Sequence, residues 1–78
     1  MLHDLKISHK YFDAVANGIK CFEVRKNDRP FKVGDTLRLR EFDPDKKLYT
    51  GRETERTVTY ILCDEEYYLP GYVIMSLK

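Results

Sequence analysis

Glycine is scarce in this 78-residue chain. Two of its four copies sit in ordinary turns, so no glycine-rich loop is available to cradle a phosphate. Cysteine is scarcer still: Cys21 and Cys63 show no CxxC or Cys/His spacing, which excludes the usual zinc sites. Both fall in segments that read as strands, where a free cysteine behaves as a small buried hydrophobe. No apolar stretch approaches the roughly 20 residues that cross a bilayer. The opening His3-Asp4 is unlike the basic end and apolar run of a secretory leader. The expectation is therefore a reduced, cytoplasmic domain with no membrane partner. No Ser-His-Asp arrangement and no metal constellation can be assembled, so neither a metal nor a cofactor is expected.

An excess of charge of one sign is also missing. Fourteen basic residues face thirteen acidic ones, a net charge of +1, which excludes a histone-like or polybasic nucleic-acid binder. The balance is local rather than uniform. Residues 25–32 carry Arg25, Lys26, Arg29 and Lys32 against Asp28 alone, a patch suited to one or a few phosphates rather than to a long duplex. Charged residues at 35% and hydrophobic ones at 42% fit a folded domain. At this length the chain is a single domain, 1–78, with a limited core.

Hydrophobic alternation gives the elements. Leu5 and Ile7 alternate with Asp4 and Lys6 in a first strand over 2–7. Ser8 is a good N-cap for a helix over 9–17, with Tyr11, Phe12 and Val15 on one face and Gly18 as its left-handed stop. A second strand spans 19–26, followed by a charged loop with Pro30 and the Gly34-Asp35 turn. Strand three, 36–42, turns Leu37 and Leu39 inward. A polar loop from Asp43-Pro44-Asp45 to Gly51 leads into strand four, 52–62, with Val58, Tyr60 and Leu62 on one side. Asp64-Glu65-Glu66 opens a loop that closes at Pro70-Gly71, and strand five covers 72–77. The pattern is α+β and mostly β: a small five-stranded open barrel with one helix between strands 1 and 2. There is no repeat, linker or low-complexity segment.

The most informative run is Gly18-Ile19-Lys20-Cys21-Phe22-Glu23-Val24-Arg25. Strand alternation places Cys21, Glu23 and Arg25 on one face and Phe22 and Val24 on the other. With Phe22 and Val24 packed inside, Glu23 and Arg25 stand side by side on the opposite face. Lys20 leaves the helix where it can turn either way. The spacing Gly-x-Lys-x-x-Glu-x-Arg resembles the signature of the ASCH domain, a branch of the PUA-like superfamily of small β-barrels associated with RNA. The likeness extends to His3-Asp4-Leu5-Lys6-Ile7, to Arg25-Lys26-Asn27-Asp28-Arg29 and to Val33-Gly34-Asp35-Thr36-Leu37, as in short bacterial and phage members of that group.

The resemblance implies a cleft beside the first helix that binds RNA, a nucleotide or a nucleoside. Lys20, Glu23 and Arg25 would line it, Gly18 would shape its mouth, and Lys26 and Arg29 would engage phosphate. A carboxylate accepts from an exocyclic amino group such as that of cytosine, and arginine forks onto phosphate or a base edge. A second implication is enzymatic: metal-independent hydrolysis of acetylated cytidine, or of RNA, with Lys20 as general base. Burial beside Arg25 would depress the pKa of such a lysine. In that branch a threonine stands where this chain has Glu23, and a distant glutamate takes part, for which Glu41, Glu65 and Glu66 are candidates.

Each of these residues also has a plain structural reading. Glu23 and Arg25 can pair on a solvated strand, Lys20 can complement a helix end, and the basic loop can be a solvated surface. His3 reads as a structural donor and His9 as exposed. Tyr72 reads as the edge of the core, whereas Tyr67 and Tyr68 fit either a core edge or a stacking platform. A protein-interaction module, with a protein partner and a structural charged cluster, is the third reading.

Overall fold

Five alternating segments become strands and one amphipathic segment becomes a helix. The elements are β1 (Leu2–Ser8), α1 (His9–Ala16), β2 (Phe22–Lys26), β3 (Thr36–Asp43), β4 (Leu48–Leu62) and β5 (Tyr72–Leu77). The computed structural model describes residues 1–63 and 70–78. The expectations for Asp64, Glu65, Glu66, Tyr67 and Tyr68 lie outside the described residues. The strands form one sheet in the order β1-β3-β4-β5-β2. β1 runs parallel to β3 with Leu5 opposite Leu39, and the other neighbours are antiparallel. A small, mostly β domain with five strands and a helix after the first is what the sequence implies. β1 and β2 are the two ends of the sheet.

Helix α1 is short, so its caps matter. The Ser8 side chain accepts from Lys10 N at 3.2 Å, and Gly18, at φ +74°, takes the left-handed conformation that turns the chain out. No basic residue occupies the last turn. Arg56 reaches in from β4 instead and donates to the carbonyls of Val15 and Ala16 at 2.9 and 2.6 Å. Phe12 and Val15 are buried as expected, whereas Tyr11 is about half exposed.

The core joins Leu5 and Ile7 of β1, Phe12 and Val15 of α1, Leu37 and Leu39 of β3, Val58 of β4, and Val73, Met75 and Leu77 of β5. Burying one such side chain is worth about 2 kcal/mol. Among the described residues, β2 supplies none of the buried apolar side chains. The expected facing of β2 is thus reversed: Phe22 and Val24 are half exposed and Glu23 is buried. The reason is register. β2 pairs with β5 so that Glu23 lies opposite Met75 and Arg25 opposite Val73, both core residues, and one step of parity flips every side chain.

Other boundaries move for local reasons. β2 begins at Phe22 rather than at residue 19, because the turn out of α1 takes Ile19 and Lys20, whose N–H groups both donate to the Ala14 carbonyl. β4 begins at Leu48, not Arg52, so the preceding loop is short and closes with Lys47 at φ 54°. An irregularity between Val58 and Tyr60 leaves Val58 buried and Tyr60 exposed, so the two do not share a side as the alternation implies. Cys21 and Cys63 lie just outside the strands and are exposed, not buried.

Two buried carboxylates hold the frame. Asp35 follows the Gly34 turn and accepts from His3 Nε2 at 2.8 Å, from the Met1 nitrogen at 2.9 Å and from Lys32 N at 2.9 Å. The His3 hydrogen bond first, then the Met1 amino group, hold the Asp35 carboxyl far below the usual carboxylate range. His3 is itself buried, its ring against Phe31, in the structural role expected for it. Glu41 on β3 accepts a two-pronged contact from Arg52, at 2.9 and 2.8 Å, and the Thr50 hydroxyl at 2.5 Å. Arg52, ahead of Thr50, lowers the Glu41 pKa.

Candidate functional site

The polar residues of β2 collect where the two ends of the sheet approach each other. Glu23 faces inward there, and each of its oxygens meets a cation. Arg25 Nε donates to Oε2 at 2.6 Å, and Lys20 Nζ lies 3.5 Å from Oε1. Lys20 also donates to the Phe22 carbonyl at 2.9 Å, so it has turned toward the carboxylate. A nitrogen of Arg25 donates across the gap to the Lys6 carbonyl of β1, and Arg29 Nη1 donates to the Asp4 carbonyl at 3.3 Å. Two guanidinium groups thus satisfy edge carbonyls of β1 that have no strand neighbour on that side.

A cleft of about 660 Å³ opens over this seam, beside α1. Its walls come from Lys6, Ile7 and Ser8 of β1, from Tyr11 of α1, and from Tyr72 of β5. Lys20 and β2 from Phe22 to Lys26 complete it. Four cations, Lys6, Lys20, Arg25 and Lys26, stand against the single carboxylate of Glu23, which is already engaged. Aromatic faces alternate with them. Lys20 Nζ sits 4.6 Å from the Phe22 ring centroid and 5.6 Å from that of Tyr11. Chemically, the cleft offers rings to stack on, ammonium groups to meet negative charge, and one acceptor at its base.

Lys20, Glu23, Arg25 and Lys26 therefore meet in one cleft. Gly18 and Arg29 stand beside it rather than in its wall. Gly18 ends the helix and borders an adjoining hollow that shares Lys20 with the cleft, while Arg29 borders another that shares Arg25 and Lys26. Lys32 contributes its backbone N–H to Asp35. Lys6, Tyr11, Phe22 and Tyr72 belong to the cleft but not to the set expected from sequence. The signal for Phe22 was present: its parity with Val24 and Lys26 is outward as soon as Glu23 is placed inward.

Among the described residues, one group of side chains has the proximity a metal ion would need. His9, Asp43 and Asp45 place ligand atoms within 4.8 Å of one another. Asp43 Oδ1, however, already accepts from the N–H groups of Asp45 and Lys46, the ordinary work of an aspartate in a turn. Glu41, offered as a possible distant catalytic glutamate, is held by Arg52 and Thr50 and does not line the cleft.

Fold and site together define a small single-sheet domain with a basic, aromatic-walled cleft between its edge strands. Residues 2–77 match the family described as a domain of unknown function (DUF3850), and the chain belongs to that family. It is similar to the "Uncharacterized 12.9 kDa protein in GpA 3'region" of Escherichia phage P2, with 39% identity over 74 residues, 95% of this chain. The match spans 65% of the length of that phage protein.

Proposed function

We propose that this is a PUA-like ASCH domain whose cleft binds a nucleotide, free or within single-stranded RNA. The observation that carries the reading is the cleft's composition: exposed aromatic rings interleaved with four cations around one buried, engaged carboxylate. A base would stack on Phe22 or Tyr11, and its phosphate would meet Lys26 and Lys6. Glu23, fixed by Lys20 and Arg25, would present its remaining lone pairs to an exocyclic amino group. The open-barrel description belongs to the same proposal. It is supported by the arginine side chains that span from the β2 end to the β1 edge, where a closed barrel would have backbone hydrogen bonds. Two exposed free thiols, Cys21 and Cys63, suit the reducing cytoplasmic setting in which such a ligand occurs.

Titration of ¹⁵N-labelled protein with cytidine monophosphate, acetylated cytidine and short single-stranded RNA tests this. Shifts centred on Lys20, Glu23 and Arg25 are expected, weakened by added salt. Release of acetate from acetylated cytidine would replace binding by hydrolysis. Silence toward all three would overturn the reading and leave a protein partner.

A further inference from the structure

A row of cations and rings leaves the cleft and crosses the outer face of the sheet. Lys6, which lines the cleft, holds Nζ 4.1 Å from the centroid of Phe42. Phe42 meets Tyr49 edge-on with centroids 5.2 Å apart, and the Arg40 guanidinium lies 4.3 Å from the Tyr49 centroid. Strand register produces the row. Lys6 stands opposite Arg40, and Phe42 stands opposite Tyr49, on the face away from Leu39 and the core. Tyr49 keeps 43% of its surface exposed.

The neighbouring row shows what an ordinary sheet surface does here. Arg38 sits between Asp4 at 3.7 Å and Glu55 at 3.6 Å, its charge compensated on both sides. Arg40 faces Glu53 across the strands but makes no ion pair among the described residues, and neither does Lys6. Their charges rest on aromatic faces instead. The exposed Tyr49 ring, beside the half-buried Phe42 and two cations that make no ion pair among the described residues, offers a surface on which a base can stack.

We propose that Lys6, Arg40, Phe42 and Tyr49 form a second nucleotide subsite, so that the domain takes a run of single-stranded RNA rather than one nucleotide. This rests on the cleft binding the first nucleotide. Lys6 is shared by both sites and stands where the linking phosphate would pass. A second base stacks on Tyr49, and Arg40 covers its phosphate.

Equilibrium binding of cytidine monophosphate and of di-, tri- and tetracytidylate tests the inference. In the wild type, affinity should rise about tenfold or more from the mononucleotide to the longer probes. Tyr49→Ser combined with Arg40→Gln should abolish that rise and leave mononucleotide affinity in place. Arg40→Gln alone, which keeps both rings and sets no like charge against Glu53, should reduce that rise. A rise that survives both variants, or affinity independent of length in the wild type, overturns the second subsite and leaves the cleft intact. Absence of binding to every probe, mononucleotide included, overturns both.

Discussion

Arg25 Nε lies 2.6 Å from Glu23 Oε2, on a strand whose Phe22 and Val24 face outward. The pair stands where a small domain would place apolar side chains, opposite Val73 and Met75. Taking Glu23 away leaves Arg25 without its anion, and taking Arg25 away leaves the buried Glu23 carboxylate with Lys20 alone. Glu23→Ala should therefore lower stability by about 1–3 kcal/mol in urea unfolding. Arg25→Ala should do the same, with the Lys6 carbonyl also losing its donor. The double variant should fall short of the sum by about 0.5–3 kcal/mol. Simple additivity would show that the two side chains do not act as a unit.

Much of this domain is legible in its sequence. Ser8 and Gly18 mark the helix ends, and the alternation of Leu37 with Leu39 and of Val73 with Met75 marks two strands and their buried faces. The motif from Lys20 to Arg25 points to the cleft. What escapes is parity in β2. Phe-Glu-Val-Arg reads equally well in either facing, and only the pairing of Glu23 with Met75, set by residues more than fifty positions later, decides it. The Arg56 cap and the Arg29 staple escape for the same reason. Each joins segments distant in sequence, and a lone arginine carries no local sign of its partner.

Because Phe22 is outside the core, removing its ring should separate binding from folding. Phe22→Ala should weaken cytidine monophosphate and RNA binding by about tenfold, the worth of a lost base stack. Its unfolding midpoint should stay close to that of the wild type. Phe22→Tyr should restore affinity. If Phe22→Ala unfolds the protein instead, the ring belongs to the packing.

The resemblance implies one phosphate-binding role for Lys26 and Arg29, but only Lys26 lines the cleft itself. Arg29 borders an adjoining hollow together with Lys26 and keeps a nitrogen on the Asp4 carbonyl. Lys26→Ala should weaken RNA binding and reduce the slope of log affinity against log salt by about 0.7, one phosphate contact on a single strand. Arg29→Ala should leave that slope unchanged and cost no more than about 1 kcal/mol of stability. Equal changes in slope would return Arg29 to the phosphate path.

Acid should unfold this domain through Asp35 and Glu41. His3 above all lowers the Asp35 pKa, and Arg52 lowers that of Glu41. In each case the folded carboxyl releases its proton at lower pH than the unfolded one. Below about pH 4 the unfolded chain therefore binds more protons than the folded one. The contribution of each carboxylate is complete above that range and is lost as pH falls toward the folded pKa. Arg52, its own pKa raised by Glu41 and then Asp13, stays charged throughout and does not shape the curve. Urea midpoints measured between about pH 7 and pH 2 should fall steeply on the acid side for the wild type. Asp35→Asn should start lower at neutral pH and fall less steeply, because its side chain has no proton to take up. Parallel acid limbs in the two proteins would mean that the buried Asp35–His3 contact does not couple folding to protonation.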